Sequence, residues 1–284
     1  MIAMLSRERR TKENFFPISG DHRGLLMKIG LVDMISAVKD DEEIKEIQKA
    51  VEITEKVLKD HVLPKVRPGV TEKNLAAEVS YWGRKLGAEE INFNNIVLAG
   101  KRSSMPHGEA SDNRLQEGDI VQFDLSHSVD GLSSDISRAF ILGEPTEKQR
   151  KIYNLVLTAQ EAAIKAARPG IECKDLDKIA RDIIKNGGHD IPHALGHGLG
   201  ISIDTFPGVG PEDEIELRPG HVITIEPGIY IPGWGGIRIE DVIVITEDGC
   251  RNLNKFPKDL TIITATKDRH QLVRGRPFTP RVFR

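Results

Sequence analysis

Five residues have types and spacings that could do chemistry together: Asp124, Asp135, His197, Glu226 and Glu240. The first two flank a hairpin signal. The β-rich run Ile120 to Leu125 is followed by Asp130-Gly131, a strong two-residue turn dipeptide. Such a turn sets Asp124 opposite Ser137 and Ser126 opposite Asp135, and strand alternation then puts both aspartates on one face as diagonal neighbours. The segment from Thr224 to Glu240 is symmetric about Gly233, so a turn centred there sets Glu226 opposite Glu240. Two pairs of buried acids repel one another unless cations compensate them, and a metal cluster is the economical explanation. Ion pairs with Arg138 and Arg238 would account for any one of these acids, but not for the set.

Oxygen-rich ligands with a single imidazole suit harder divalent ions such as manganese, and they accept cobalt, iron or zinc. A lone zinc ion is usually held by fewer ligands with more nitrogen or sulfur. Five protein ligands, with carboxylates able to bridge, suit two ions sharing a water.

The surrounding chain has to hold these residues in place. With 284 residues, 39% of them hydrophobic, it is long enough for one large domain or a domain with a small appendage. A net charge of -3 gives no global basic field, so no nucleic-acid partner is expected. Cys173 and Cys250 lack metal-ligand or redox spacing, and two cysteines fit a reducing compartment. No apolar run reaches membrane-span length, and the N-terminal stretch has no signal-peptide core. The expectation is a soluble cytoplasmic protein without a membrane partner. Three stretches are expected: a short irregular N-terminal segment (1–36), a catalytic domain (37–264) and a basic surface-draped C-terminal tail (265–284).

Amphipathic periodicity predicts helices over about 42–62 and 146–167, the first capped by Asp40 with Glu43 three residues on. A second helix is expected from near Thr71. Arg67-Pro68-Gly69-Val70-Thr71-Glu72-Lys73-Asn74-Leu75 is echoed, 101 residues later, by Arg168-Pro169-Gly170-Ile171-Glu172-Cys173-Lys174-Asp175-Leu176. Each stretch follows a long helix, precedes a helix ending near glycine (Gly87, Gly187), and leads into acid-bearing strands. That period is too long for a solenoid and predicts two related α/β halves around one shared site.

Taken in order, Met105-Pro106-His107-Gly108, Gly118 to Asp124, Ser134-Asp135-Ile136-Ser137-Arg138, His193 to Gly200, Thr224 to Tyr230 and Gly236 to Asp241 resemble the pita-bread metallopeptidases. Glu226-Pro227-Gly228-Ile229-Tyr230 followed by Arg238-Ile239-Glu240-Asp241 looks like the prolidase (Xaa-Pro dipeptidase) and aminopeptidase P branch. The resemblance implies a pita-bread α/β (α+β) fold with two pseudo-symmetric halves around a dinuclear metal site. It implies that Asp124 holds one ion, that Asp135 and Glu240 bridge both, and that His197 and Glu226 bind the other. The cofactors implied are two divalent ions, manganese or cobalt ahead of zinc or iron. The function implied is hydrolysis of the N-terminal bond of Xaa-Pro dipeptides or short peptides by a hydroxide shared between the ions. Glu226 would be the proton acceptor and donor. His107 would act catalytically over the cleft and bind substrate, and His193 and Arg238 would line the pocket, Arg238 orienting Glu240 or facing substrate.

Two departures matter. Where this branch usually has a second substrate histidine, seven residues after the metal histidine, this chain has Asp204. A carboxylate cannot donate the hydrogen bond of an imidazolium, but it can bind a cation such as an amino terminus. Asp204 therefore favours a small-amide C–N hydrolase or a non-proline aminopeptidase as the alternative, ahead of a non-catalytic peptide-binding module, since all five ligand positions are filled. The branch also carries a sizeable N-terminal domain where about 36 residues stand here, so a homodimer in which a second copy supplies the missing wall is the other expectation. His127 is expected as an exposed hairpin residue.

Overall fold

Local signals start the helices where the sequence predicts them. The Asp40 carboxylate accepts from the Glu42 and Glu43 amides, both at 2.9 Å, and Glu43 returns a bond to the Asp40 amide, also 2.9 Å. That capping box satisfies the orphan donors of the first turn and opens α1 (Asp41–Lys56). Past Lys56 the expected helix loosens into a π-helical stretch, Val57–Val62, and a 3₁₀ turn, Leu63–Lys65. Pro64, which has no amide to donate, sits in that turn. Thr71 caps α2 (Glu72–Lys85), Thr146 and Gln149 form a second capping box for α3 (Glu147–Ala166), and α4 (Cys173–Asn186) stops at Gly187. The structure, a computed structural model, describes residues 30, 32–89, 95–265 and 270–274. The expected N-terminal segment falls almost wholly outside these residues.

Two five-stranded sheets carry the site. In the first, β1 (Ile96–Ala99), β2 (Ile120–Leu125) and β5 (Ile136–Leu142) are joined by β13 (Thr261–Ala265) and β14 (His270–Arg274) in the order β1-β2-β5-β13-β14. The second contains β6 (Gly196–Gly198), β7 (Thr205–Val209), β8 (Val222–Ile225), β11 (Asp241–Ile245) and β12 (Cys250–Asn252), ordered β12-β11-β8-β6-β7. Two short hairpins, β3 (Ser128–Val129) with β4 (Leu132–Ser133) and β9 (Gly228–Ile231) with β10 (Gly235–Arg238), extend β2/β5 and β8/β11. Strand β14 lies inside the stretch expected to be a surface-draped tail. Thr261↔Arg274 to Ala265↔His270 pair antiparallel, so these five residues form an edge strand.

The predicted duplication is visible in the backbone. Gly69 N donates to Leu115 O, and Gly170 N to Leu217 O. Leu115 N bonds Val70 O as Leu217 N bonds Ile171 O. Glu72 N and Lys73 N reach Asn113 O and Ser111 O, while Cys173 N and Lys174 N reach Ile215 O and Asp213 O. The bridge Thr71↔Arg114 likewise repeats as Glu172↔Glu216. This pita-bread fold is thus two α/β halves, β1-β2-β5 corresponding to β6-β8-β11.

Each half has its own core. In the first, Leu75 and Val79 of α2 pack on Val97, Val121, Phe123 and Phe140. In the second, Ile152 and Val156 of α3 and Ala180 and Ile184 of α4 pack on Ile223, Ile225 and Ile243. Burying one such aliphatic side chain contributes roughly 1.5–3 kcal/mol. Truncating Ile243 to alanine would cost about 2–5 kcal/mol.

Candidate metal centre

The two turns place the acids. Asp130 (φ 48) and Gly131 (φ 76) both take left-handed conformations, the requirement of a type I′ hairpin turn. The register is the expected one, with Asp124↔Ser137 above and Ser128↔Ser133 below. Between these ladders, residues 126–127 and 134–135 leave the strand pairing. Asp135 sits in that gap. The second hairpin repeats the device. Ile225↔Asp241 and Gly228↔Arg238 share one register centred on Gly233, and Glu226 and Glu240 occupy the break between them.

His197 enters from β6. A Cβ at Gly196 would collide with the Thr224 carbonyl, and one at Gly198 with that of Phe206. Glycine on both sides therefore lets β6 press close enough to bring the imidazole to the acids. His197 N bonds Thr224 Oγ1 at 3.1 Å, and Thr224 Oγ1 also donates to Glu226 Oε1 at 3.3 Å. Nδ1 of His197 faces the Gly198 carbonyl at 3.1 Å. Since a carbonyl only accepts, the proton belongs on Nδ1, and the Nε2 lone pair is turned inward. Nε2 lies 3.3 Å from Glu226 Oε1 and 3.9 Å from Asp135 Oδ2.

These groups are strongly frustrated without a cation. Ligand atoms of Asp135, His197 and Glu240 lie within 4.8 Å of one another. Asp124 Oδ1, Asp135 Oδ1 and Glu240 Oε1 are buried with no hydrogen-bond partner. Burial, then the charges of Glu240, Asp124 and Glu226, push Asp135 well above the carboxylate range. Burial, then Glu226 and Asp124, do the same to Glu240. Burial also drives Glu226 up to about 8, against the pull of Arg238. Orphaned acceptor oxygens on crowded acids, with one inward imidazole, are the donor set that hard divalent ions satisfy.

Arg238 is fully buried and belongs to Asp124 rather than to neighbouring Glu240. Nη2 bonds Asp124 Oδ2 at 2.5 Å, Nε bonds Ser137 Oγ at 2.8 Å, and Nη1 donates to Tyr230 OH (2.7 Å) and Pro106 O (3.1 Å). Its amide is fixed by Gln122 Oε1 at 2.9 Å. Arg238 closes the β9–β10 ladder across from Gly228, and Glu240 lies beyond its end.

Tyr230 joins this group to His193. The His193 ring places Nδ1 on the Ala194 carbonyl (2.7 Å) and Nε2 on Tyr230 OH (3.0 Å). The tyrosine hydroxyl therefore accepts from Arg238 and donates to His193. Burial holds His193 down at about 4, helped by the positive charges of Arg238, His107 and Arg181. His107 is exposed at the tip of the turn after the 3₁₀ stretch Gly100–Ser104, near enough to act on His193. Asp204 is exposed at φ 63, and its charge helps raise Glu226.

Sequence reasoning missed two things. His127 is buried, at 4% exposure, instead of exposed. Its Nδ1 meets Thr54 Oγ1 at 3.0 Å and its ring lies on Gly83 of α2, because helices α1 and α2 cover the hairpin that carries it. The second is Glu72, also fully buried, which reads locally as an ordinary first-turn acid. Its carboxylate accepts from Ala99 N, Arg102 Nε, Ser111 N and Oγ, and Asn113 Nδ2 at 2.8–3.2 Å. It anchors both ends of the loop that carries His107. A Thr-Glu helix start followed by Ser111 and Asn113 was the only available signal.

The sequence profile of a family described as Metallopeptidase family M24 matches residues 45–247. Over 225 residues the chain is 46% identical to a Pyrococcus furiosus protein named Xaa-Pro dipeptidase, covering 78% of this chain and 64% of that one. The solved structure titled prolidase from Pyrococcus furiosus superposes with a TM-score of 0.79 at 44% identity, over 81% of this chain and 68% of that one. X-Pro aminopeptidase from Thermotoga maritima gives a TM-score of 0.81 at 37% identity, over 83% and 67%. The chain thus spans a little under two thirds of the length of the Pyrococcus relative it matches.

Proposed function

The chain belongs to metallopeptidase family M24, and from that membership we propose that it is a dinuclear metal-dependent exopeptidase. Its proposed substrates are Xaa-Pro dipeptides or short peptides, cut at the N-terminal bond. The observation that carries this reading is the convergence of Asp135 and Glu240, each with a partnerless carboxylate oxygen, on the inward Nε2 of His197. The relatives' names supply the substrate class.

In this reading Asp124, Asp135, His197, Glu226 and Glu240 hold two divalent ions, manganese or cobalt before zinc or iron. When bound, such a pair supplies Lewis acidity for the scissile carbonyl and makes water a better nucleophile at neutral pH. The protein does the rest. Glu226, held by Thr224 at 3.3 Å, takes a proton from the attacking water and returns it to the leaving amine. Arg238 holds the Asp124 carboxylate in orientation. His193, neutral and tied to Tyr230, forms a fixed wall of the cleft, and His107 approaches from the exposed loop above it, where it can donate to the developing oxyanion. Buried apolar strands on either side keep water from the acids and so strengthen these interactions.

Asp204 favours a second reading. Its carboxylate stands near Glu226 on the exposed side, where it suits a cationic group more than a proline carboxylate. A non-proline aminopeptidase or a small-amide C–N hydrolase would use the same five ligands.

The test is hydrolysis by metal-stripped protein reloaded with manganese or cobalt. The panel should include Xaa-Pro dipeptides, Xaa-Pro-Xaa tripeptides and Leu-Ala or Met-Ala controls. Metal-restored cleavage confined to proline peptides supports the first reading, and cleavage without proline preference supports the second. Bound metal with no cleavage of any peptide would overturn both peptidase readings. Among the described residues no helix is long and apolar enough to cross a membrane.

A further inference from the structure

We propose that Asp177 and Arg181 on α4 form a positioning pair that fixes His193 directly and Glu226 through one intervening residue, Leu195. The inference rests on the peptidase reading above for its kinetic arm. Asp177 is fully buried, and Arg181 is mostly so. They are one helical turn apart and meet as a fork, Nε to Oδ2 at 2.7 Å and Nη2 to Oδ1 at 2.8 Å. A bidentate pair of this kind fixes the guanidinium plane.

What the fork holds is the backbone leading into the site. Arg181 Nη1 donates to Ile191 O at 2.6 Å and Nη2 to His193 O at 2.9 Å. Asp177 Oδ1 accepts from Leu195 N at 3.1 Å. The carbonyl of the same residue, Leu195, accepts from Glu226 N at 2.8 Å. One buried ion pair therefore sets the carbonyl of His193 on one side and the main chain of Glu226 on the other. Between them, Gly196 packs against the Thr224 carbonyl with no space for a side chain. A shift at Leu195 is therefore passed on to β8 and cannot be absorbed.

The pair is not a relic of the duplication. At the matching places of α2, 101 residues earlier, stand Ala76 and Ser80. The first half instead grips its histidine-bearing loop through Glu72 and Arg102. The fork occurs in the half that supplies His193, His197 and Glu226.

The test uses the full chain, metal-stripped and reloaded with manganese. R181M and D177N are compared with wild type for metal content, melting temperature, kcat and KM, and ¹⁵N histidine spectra of the metal-stripped proteins report the tautomer of His193. Misplacing groups that flank a reacting centre typically costs about 10–100-fold. The expected result is a fall of that size in kcat with KM changed less than threefold and metal content retained. The His193 signal should also leave its fixed Nδ1–H form. In an H193A background R181M should add only the part of its loss that acts through Glu226, so the two effects fall short of multiplying. R181K, with the charge but not the fork, should not restore kcat. If R181M and D177N keep wild-type kcat in folded, metal-loaded protein and leave the His193 signal unmoved, the proposal is overturned and the pair only braces α4. Should R181M fail to fold, D177N carries the same comparison, since asparagine can still accept from Leu195. Wild-type protein that cleaves no peptide would remove the functional reading, while the ¹⁵N arm would still decide whether the fork sets His193.

Discussion

Arg238 and Asp124 meet at 2.5 Å between the two hairpins, and with this pair a buried arginine of the second half clamps a candidate ligand of the first. The salt bridge that would have explained Asp124 as an ordinary strand acid does exist. It leaves Asp124 Oδ1 without a partner, so under the proposed reading one oxygen of the carboxylate pairs with arginine and the other is left for an ion.

Removing that cation strands a buried acid. R238A should destabilise the metal-stripped protein by about 3–5 kcal/mol, the usual cost of breaking one side of a buried pair. R238K should recover little, because one ammonium cannot reach Ser137, Tyr230, Pro106 and Asp124 together. Urea unfolding of the three proteins checks this, and a loss below about 1 kcal/mol for R238A would mean that the pair adds almost nothing to the fold.

Glu226→Gln should keep the fold and lose hydrolysis by about 10²–10⁴-fold, the range for a general acid–base group. Circular dichroism and turnover with manganese measure the two halves of this statement. Near-wild-type turnover would remove Glu226 from the proton-transfer role.

Stripping the metal should lower the melting temperature, and restoring manganese at a hundredfold above its dissociation constant should add about 2.7 kcal/mol. D135N and E240Q should bind less than the two ions per chain expected of wild type. A D135N/E240Q double variant that still takes up two ions would place the seat elsewhere.

Acid should unfold the chain early. Burial holds His127, His193 and His221 at about 4, against an ordinary 6.5. Between those values the unfolded chain binds protons that the folded histidines refuse, so their contribution to stability is complete above pH 6.5 and declines as pH falls toward 4. For His127 alone the loss is about 3 kcal/mol by pH 4. H127Q should therefore flatten the fall of melting temperature across this window. An unchanged slope would show that His127 takes up its proton while folded.

Asp204 sits where a cation would approach Glu226. D204N should raise KM for Lys-Pro more than for Leu-Pro, by roughly threefold to tenfold if one exposed charge contact is lost. Equal KM changes for the two dipeptides would place Asp204 away from the substrate.

Legibility followed the kind of signal. Asp130-Gly131 and the palindrome around Gly233 gave both registers, since turn chemistry is local and strand pairing follows from it. The Arg-Pro-Gly echo led to matched hydrogen bonds such as Gly69 to Leu115 and Gly170 to Leu217. What escaped was burial decided by distant elements. His127 reads as a hairpin residue until α1 and α2 are laid over it. Glu72, Asp177 and Arg181 carry no local sign of burial, and the bond from Arg238 to Asp124 joins two hairpins far apart in sequence. Strand β14 was hidden by the charge of its surroundings, which outweighed its short β pattern.

Leu98 lies opposite Gln122 in β1, where the second half sets His197 beside Thr224 in β6. Elsewhere the halves match acid for acid, Asp124 with Glu226 and Asp135 with Glu240. Two identical ancestral halves joined about an axis would have offered four carboxylates and two equivalent seats. One imidazole in place of one leucine makes those seats chemically unequal. Under the proposed reading, that one strand position gives the two seats different chemistry.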